Sequence, residues 1–538
     1  MKLTRRTFMA GSAAAIAGTG IATGMVGKAV AQQGGILRTG WGARGARTID
    51  PHKSIQGVDE WAIVHIHDKL VRIPSGRFPD TIDEFEPGLA VSWESSPDSS
   101  TWTFELREGV QFQKGYGEFT SEDVKYSFDR VRDADRIGVR RPMYDNIAEV
   151  TTDGPYRVVF HLSEPDPLFL YSSHTHHSSS IMSKAAVEDR GDEAIEFDPV
   201  GTGPYELETV HEDPADGVTI VAYPDHWGEQ PGTERIQFTY IADTTARTLA
   251  VLSGDVHMVE GVRAPGWVPS IQQRDPNLLF DVVSPGSFFS LHINLTQEPF
   301  DNVLVRQALM YAIDRQQITD AMSPFGLRTW GLNPPSYIGG FTDETIPDEL
   351  RYDHDPDRAR ELLAEAGFPN GFSFDAYTSQ REDYSSIMLI VQEQLRGVGI
   401  DMNLEIRDHT AFHADQATGT NTLSQNSSTY PPVPTQAFVQ WLSAPAAVVE
   451  GGGGGSNFSR YGVAIEGIDD LLGQAFAEED LDRRLDLVRQ MEEKMLTDVP
   501  LIHVVTNGFM VVRNPRVDLG FDVVSGYAHW DLTKAVVS

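Results

Sequence analysis

Alternating and helical apolar patterns divide the first part of the chain into short elements. Residues 101–107 alternate large apolar side chains with threonine and charged residues, which predicts a strand with one buried face. Residues 156–162 show a second strand pattern, and residues 120–128 read as a capped amphipathic helix. The segment from about 75 to 196 therefore reads as a small α+β unit of its own.

A turn rich in glycine and proline ends this unit. Residues 199–205 hold two glycines and two prolines, which cannot propagate a helix or a central strand. The residues that follow alternate like a strand. We interpret the turn as the place where the chain returns from an inserted unit to a main lobe.

Helical periodicity dominates the second half. Residues 303–318 place apolar side chains at helical spacing, with Arg306 and Asp314 on the outside. Residues 468–496 predict two amphipathic helices broken near residues 479–480. The second half is therefore predicted to form a larger α/β lobe.

Composition limits the classes of function. With 538 residues, 40% hydrophobic and 22% charged, the chain is typical of a soluble protein of two to four domains. A formal net charge of −35 disfavours nucleic acid and anionic lipid as partners. It is compatible with a saline habitat or with ordinary solubility. The lack of cysteine excludes disulfides, thiol catalysis, thiolate metal sites and a lipid-modified N-terminal cysteine.

The N-terminus carries an export pattern. Arg5 and Arg6 form a twin-arginine motif, and a weakly hydrophobic segment of alanine and glycine follows from about residue 10 to 27. Ala29 and Ala31 form an A-x-A cleavage site. We expect cleavage after Ala31 and a periplasmic mature protein. A buried helix is the poorer alternative, because this segment is rich in glycine and has no polar face.

Several segments resemble signatures of one known family. In chain order, they are residues 89–94, 104–112, 123–130, 201–205, 252–258, 303–315 and 359–371. Together they are similar to the family 5 extracellular solute-binding proteins, which are the dipeptide-, oligopeptide- and nickel-binding components of ABC importers. His257 stands where that family usually has aspartate. The resemblance spans nearly the whole chain after the N-terminal segment.

This resemblance implies an α/β (α+β) fold of two lobes with a hinge and an extra inserted domain, of the type II, cluster C-like kind. The expected parts are a signal peptide (1–31), lobe I (32–74, 197–284 and 500–538), the inserted domain (75–196) and lobe II (285–499). The implied function is periplasmic capture of a peptide-like or other small polar solute by lobe closure. A monomer without cofactor would deliver this ligand to a membrane permease.

Alternatives within the family are binding of a nickel or other metal chelate, an oligosaccharide or an amine derivative. A sensor or periplasmic chaperone would share the fold but bind a protein partner. An exported hydrolase has less support, because the sequence holds no G-x-S-x-G, H-E-x-x-H or paired-acid motif. We therefore expect no catalytic residues.

A cleft between two lobes needs strands that cross between them. We predict crossings at residues 282–288 and 501–503, which makes Ser287, Phe288 and His503 candidates for the cleft floor. Ordinary strand packing is an equally good interpretation of these three residues.

Arg381 is the strongest ligand candidate. It follows a strand at residues 374–377 and matches, by resemblance, the arginine with which dipeptide binders of the family hold the ligand's carboxylate. A guanidinium offers a fixed fork to a carboxylate and stays charged when buried. The alternative is a surface arginine paired with Glu382 or Asp383.

One family feature is missing. Peptide binders of the family place an aspartate opposite the ligand's ammonium, but residues 424–434 contain no carboxylate. A buried ammonium without a counter-charge would cost several kcal/mol, so the usual peptide anchor is absent. Asn426, Tyr430 and Trp441 suit a polar and aromatic pocket wall. Tyr430 could equally stiffen a turn among prolines.

The remaining candidates are weaker. His174, His176 and His177 form the densest histidine cluster and could hold a transition metal, but their context predicts an exposed loop. The glycine run at 451–455 lacks a following Lys-Ser/Thr and is no phosphate cradle. We expect neither a resident metal nor a cofactor.

Overall fold

The computed structural model describes residues 35–538 except 55–56, 80, 134, 137–140, 336, 432, 449–454 and 528. Their elements belong to one compact unit, Gln33–Ser538. The predicted signal peptide, with Arg5, Arg6, Ala29 and Ala31, lies outside the described residues.

The strands are short except for two long ones, β12 and β17. In chain order they are β1 Ile36–Trp41, β2 Val71–Arg72, β3 Glu86–Pro87, β4 Ala90–Ser95, β5 Thr101–Leu106, β6 Ile147–Thr152, β7 Arg157–Leu162, β8 Tyr205–Val210, β9 Val218–Ala222, β10 Arg235–Tyr240, β11 Met258–Glu260, β12 Leu279–Ile293, β13 Gly326–Leu327, β14 Phe372–Ser379, β15 Ile400–Arg407, β16 Leu423–Thr429, β17 Leu501–Arg513, β18 Val517–Asp518, β19 Ser525–Gly526 and β20 Val536–Val537.

The helices of the described residues lie mostly in the second half of the chain. They are α1 Gly57–Ile66, α2 Ser121–Arg132, α3 Phe169–His174, α4 Lys184–Arg190, α5 Asp192–Ile195, α6 Thr244–Ser253, α7 Trp267–Arg274, α8 Val303–Ala312, α9 Arg315–Ala321, α10 Pro356–Glu365, α11 Glu382–Gly397, α12 His409–Gln416, α13 Pro434–Trp441, α14 Asp469–Ala477 and α15 Leu481–Asp498. Across the described ranges, no helix combines the length and apolar character needed to span a membrane.

A mixed sheet of ten strands runs through both lobes. Its main path is β16-β12-β17-β11-β1-β10-β9-β8, with β13 and β19 attached at the side. The antiparallel pair of β12 and β17 is shared: one half of it adjoins β16, and the other half adjoins β11. This pair therefore forms the connection on which a two-lobed molecule can bend.

The ladder between β12 and β17 is interrupted between Val283 and Ser287. Gly286 lies there with a φ of 64°, a conformation that glycine adopts without a steric penalty. The predicted crossing at 282–288 coincides with this interruption. The other predicted crossing, residues 501–503, pairs with residues 290–292 of β12, and the part of β17 that faces the interruption begins at Asn507.

Replacing Gly286 by alanine should destabilise the protein by about 1–3 kcal/mol, since positive φ and steric overlap act together. A Cβ at this position would collide with the Asn507 carbonyl oxygen. Gly254→Ala is a matched control, because Gly254 also has positive φ but nothing within 4 Å of its Cβ position. Urea unfolding measures both variants. Equal losses of unfolding free energy in the two variants would show that the collision with the Asn507 carbonyl oxygen contributes nothing.

The predicted α+β unit contains its own sheet. Strands β4, β5, β7 and β6 lie in that order, and α2 packs against β6 and β7. The predicted strand at 101–107 is confirmed, and Thr120 caps α2 through a reciprocal capping box with Asp123. A separate apolar core, which includes Phe104, Phe128 and Phe160, stabilises this region.

The glycine and proline turn packs tightly before β8. A Cβ at Gly201 would collide with the Ile66 carbonyl oxygen, and Thr202 Oγ1 donates to Asp68 Oδ2 at 3.0 Å. The strand predicted to follow begins at Tyr205, which is confirmed. The turn is therefore part of the scaffold beneath α1.

Two helix predictions had different outcomes. The break near residues 479–480 is confirmed between α14 and α15. The pattern at 303–318 is two helices, because Asp314 caps α9 by accepting from Gln317 N. Arg306 was wrongly placed outside: it is 2% exposed and donates to backbone carbonyls, including that of Asp498 at 2.8 Å.

Candidate functional site

A cleft of about 940 Å³ lies beside the shared strand pair. Trp41 and Trp61 contribute to its wall on the lobe I side, together with residues 509–511 of β17. Residues 428–431 contribute from the end of β16, and α13 adds Gln440. The cavity is therefore bounded by β16 at one edge of the large sheet and by β17 and β1 further along it, and it is of the size that takes a small ligand.

A smaller cavity of about 190 Å³ adjoins this cleft. Arg263, Ser428, Thr429 and Phe509 line both cavities, so the two share a wall. Arg381 lines the smaller one. The two cavities together form one candidate site with arginines at one end.

Arg381 pairs with Asp383 and also lines the smaller cavity. Its Nε and Nη2 lie 3.0 and 2.9 Å from the two carboxylate oxygens of Asp383, and 51% of its side chain is exposed. It also faces the smaller cavity. A ligand carboxylate would therefore have to compete with Asp383 or share the guanidinium with it.

Arg263 was missed by sequence reasoning. Its Nη1 lies 3.3 Å from Ser287 Oγ, and its guanidinium lies 5.3 Å from the Phe509 ring centroid. Among the described residues, no carboxylate lies within salt-bridge distance of it. A single arginine in a loop gives no signal of this position, which depends on the approach of β12 and β17.

The predicted residues on β12 separate into two environments. Ser287 lines the smaller cavity. Phe288 is fully buried, with its ring centroid 3.9 Å from that of Trp441, which is also fully buried. Neither aromatic ring lines the two cavities, so the packing alternative fits both of them better than the pocket wall does.

Tyr430, His503 and Asn426 lie around this aromatic core. Tyr430 lines the main cleft, while its hydroxyl lies 3.0 Å from Thr506 Oγ1 and 3.5 Å from His503 Nε2. Burial lowers the pKa of His503 to about 3, so the imidazole is neutral. It contacts the Tyr430 hydroxyl within the core. Asn426 pairs with Ser290 in the ladder and lines neither cavity.

Glu60 is a second residue that the sequence did not single out. Its carboxylate oxygens lie 3.1 Å from His177 Nδ1 and 2.9 Å from His529 Nδ1. The residue lines the main cleft, although only 13% of its side chain is exposed. Burial raises its pKa, but the two imidazoles outweigh this and hold the pKa well below its usual range. Glu60 is therefore a fixed anion in the wall.

The exposed loop predicted for the histidine cluster was wrong. His174 is 1% exposed, lies between the rings of Phe104 and Phe169 at 5.1 and 4.9 Å, and has its pKa lowered to about 3 by burial. The pattern misled because consecutive histidines and serines resemble a solvated loop. His176 lines the cleft, and its ring, that of His177 and the Glu60 carboxylate offer donor atoms within 4.8 Å of one another.

Carboxylates enter the cleft from elements other than the one expected. The segment 424–434 carries none. Glu60 on α1 and Glu260 on β11 both line the main cavity, and Glu260 Oε2 accepts from Gly42 N at 2.9 Å. A counter-charge for a cationic ligand group is therefore present at other positions.

This arrangement, two lobes joined by shared strands with a ligand-sized cleft beside them, defines the class of periplasmic binding proteins. The model for the bacterial extracellular solute-binding proteins, family 5 (middle), matches residues 84–448. The chain belongs to this family.

Relatives agree with that assignment. The chain is 33% identical over 327 residues to the glutathione-binding protein GsiB of Shigella flexneri serotype 5b, a match that covers 60% of this chain and 61% of the relative. It is 26% identical to the binding protein MoaA of A. tumefaciens R10, solved with mannopinic acid, at a TM-score of 0.76. It is 25% identical to DppA of Helicobacter pylori, solved with the peptide STSA, at a TM-score of 0.73. These two matches cover 94% of this chain and 100% and 98% of the solved chains.

Proposed function

We propose that this protein is the periplasmic substrate-binding component of an ABC importer. It captures a peptide-like or other small polar solute that bears a carboxylate, by closure of its two lobes. It then delivers this ligand to permease subunits in the inner membrane. The observation that carries the proposal is the pair of adjoining cavities at the shared strands, with Arg263 and Arg381 at one end.

Closure provides the selectivity. Polar groups of the ligand leave water when the lobes close, and only a ligand that pairs them with protein groups offsets that loss. The hinge strands β12 and β17 are the elements that bend. In this proposal the lobe boundaries are those expected from the sequence, except that β17 passes between lobes near Asn507.

The way in which the protein reaches its compartment is part of the same proposal. The twin-arginine motif at Arg5 and Arg6 would direct export in the folded state, and removal of residues 1–31 would release a monomer without a lipid anchor. The proposal includes no covalent chemistry. The family's other ligand classes, metal chelates, oligosaccharides and amine derivatives, are outcomes that the binding experiment distinguishes.

Arg381→Ala should weaken binding of a carboxylate ligand by about 10- to 150-fold, the factor that corresponds to a lost charged hydrogen bond. Isothermal titration calorimetry with free dipeptides, glutathione and mannopinic acid measures it. Arg396→Ala is the control, because Arg396 is 54% exposed and pairs with Glu393 on the same helix. An affinity within about twofold of wild type would remove Arg381 as anchor.

Native mass spectrometry of the protein purified gently from its own periplasm tests the function itself. We expect a retained or exchangeable small solute that carries a carboxylate. A retained metal chelate or neutral sugar would overturn the proposed ligand class. A protein that retains no solute and binds none would overturn the assignment as a solute-binding component.

A further inference from the structure

Glu60 is held in the cleft wall by residues from two distant parts of the chain. His177 follows α3 in the inserted region, and His529 lies in the C-terminal segment. Nδ1 of each histidine lies close to a different oxygen of the carboxylate, at 3.1 and 2.9 Å. The carboxylate therefore has a fixed position and orientation before any ligand arrives, which is the condition for a specific charged contact.

The charge of Glu60 has no lysine or arginine partner within salt-bridge distance among the described residues. Lys69 bonds elsewhere, with its Nζ 2.7 Å from Thr175 O. A mostly buried carboxylate is costly, and a cation brought by a ligand would add to the stabilisation that His177 and His529 already supply.

Aromatic rings line the same cleft as this charge. Trp41 and Trp61 stack with ring centroids 4.2 Å apart, and both line the same cavity as Glu60. Tyr527 also lines it and stacks on His529 at 5.6 Å. A carboxylate beside aromatic faces is a suitable environment for an ammonium or guanidinium group, because the ring faces also attract positive charge.

The arginines and Glu60 line different parts of the site, and Asp383, which pairs with Arg381, also lines the smaller cavity. Arg263 lines both cavities and Arg381 lines the smaller one, whereas Glu60 lines only the larger. A solute that spans the site can therefore place an anionic group near the arginines and a cationic group near Glu60. Neither end requires a carboxylate in the segment 424–434, which has none.

We propose that Glu60 is the counter-charge for a cationic group of the ligand, so that the protein selects dipolar solutes, with an amine or guanidinium at the Glu60 end and a carboxylate at the arginine end. This inference rests on the proposed function, because it concerns the ligand of the same cleft. Glu60 would replace, from lobe I, the lobe II aspartate that is missing here.

A binding cycle tests the contact. Wild type and Glu60→Gln are titrated with free dipeptides and with their N-acetylated forms, which have lost the ammonium charge. We expect acetylation to weaken binding to wild type by at least about 10-fold, and to have less than about a twofold effect in Glu60→Gln. Such non-additivity would show that the ammonium group of the ligand interacts with Glu60. An equal effect of acetylation in both proteins would overturn the inference.

Glu260→Gln is the matched control, because Glu260 lines the same cleft. It should keep the full effect of acetylation, and loss of that effect would move the counter-charge to Glu260. The melting temperature of ligand-free Glu60→Gln should stay within about 3 °C of wild type. A large decrease with an unchanged effect of acetylation would instead indicate a purely structural role.

A ligand that is not a dipeptide also tests the proposed role of Glu60. If no dipeptide binds, the solute retained from the periplasm is identified by mass, and Glu60→Gln should fail to retain it when it carries a cationic group. A retained solute without any cationic group overturns the inference but leaves the proposed function intact. Retention or tight binding of Ni²⁺ alone, lost in Glu60→Gln, would indicate a metal site with His176 and His177 and also overturn it. A protein without any solute overturns the proposed function.

Discussion

Replacing Arg130 by methionine should destabilise the protein by about 3–5 kcal/mol, the usual cost of removing one partner of a buried ion pair. The side chains of Arg130 and Asp50 are both fully buried, with Arg130 Nη2 2.5 Å from Asp50 Oδ2. Arg130 also donates to Asp192, at 2.9 Å, and lies 2.8 Å from His52 Nδ1. Methionine fills similar space but leaves the Asp50 carboxylate without its cation.

Urea unfolding followed by circular dichroism measures the change. Lys125→Met on the same helix is the control, because its pair with Asp129 is exposed and should contribute about 1 kcal/mol or less. Equal effects of the two substitutions would show that the buried pair adds no stability of its own.

The pH dependence separates charge from packing. Burial raises the pKa of Asp50, but Arg130 outweighs it and lowers the pKa overall. This stabilisation is therefore fully present above the unfolded-state pKa of about 4 and is lost as the pH falls through the lower folded-state pKa. The difference between wild type and Arg130→Met should therefore stay constant down to about pH 4 and narrow as the pH falls further. A difference that stays constant below that pH as well would indicate lost packing alone.

Trp441→Ala should also destabilise the protein by about 3–5 kcal/mol, the range for removing a large aromatic side chain from a core. Trp441 is fully buried, with its ring centroid 3.9 Å from that of Phe288 and 6.2 Å from that of Tyr430. Its removal leaves a cavity where β12 packs on α13. Thermal unfolding should show a clear decrease in melting temperature.

Val439→Ala on the same helix is the matched control, since Val439 is 38% exposed and lines the cleft. It should cost about 0.5 kcal/mol or less. A Trp441→Ala protein that kept its stability but lost ligand binding would contradict the core position and restore the pocket-wall interpretation.

Local patterns predicted the elements whose formation depends on neighbours in sequence. The alternation at 101–107 forms β5, the signals at 120–128 form α2 with its capping box, and the break near 479–480 separates α14 from α15. Burial was predicted less well. Arg306 and His174 look solvent-exposed in sequence, yet long-range packing and backbone carbonyls enclose them.

The candidate site was predicted only in part. Arg381, Ser287 and Tyr430, which the sequence singled out, line the two cavities. Glu60 and Arg263 were missed, because an isolated acid on a helix and an isolated arginine in a loop have no local signature. Both residues gain their role through tertiary contacts: β17 packs beside Arg263, and His177 and His529 lie beside Glu60.

By itself, the sequence determined the family, the two-lobed α/β class, the small α+β unit and the lack of thiol chemistry, because these depend on motifs, periodicity and composition. The tertiary structure decided which charges meet in the cleft. Glu60 gains its partners from His177 and His529, and Arg263 reaches Ser287 across the interrupted ladder. Such contacts join residues far apart in the chain, and only the packing of the lobes can set their distances, burial and charge.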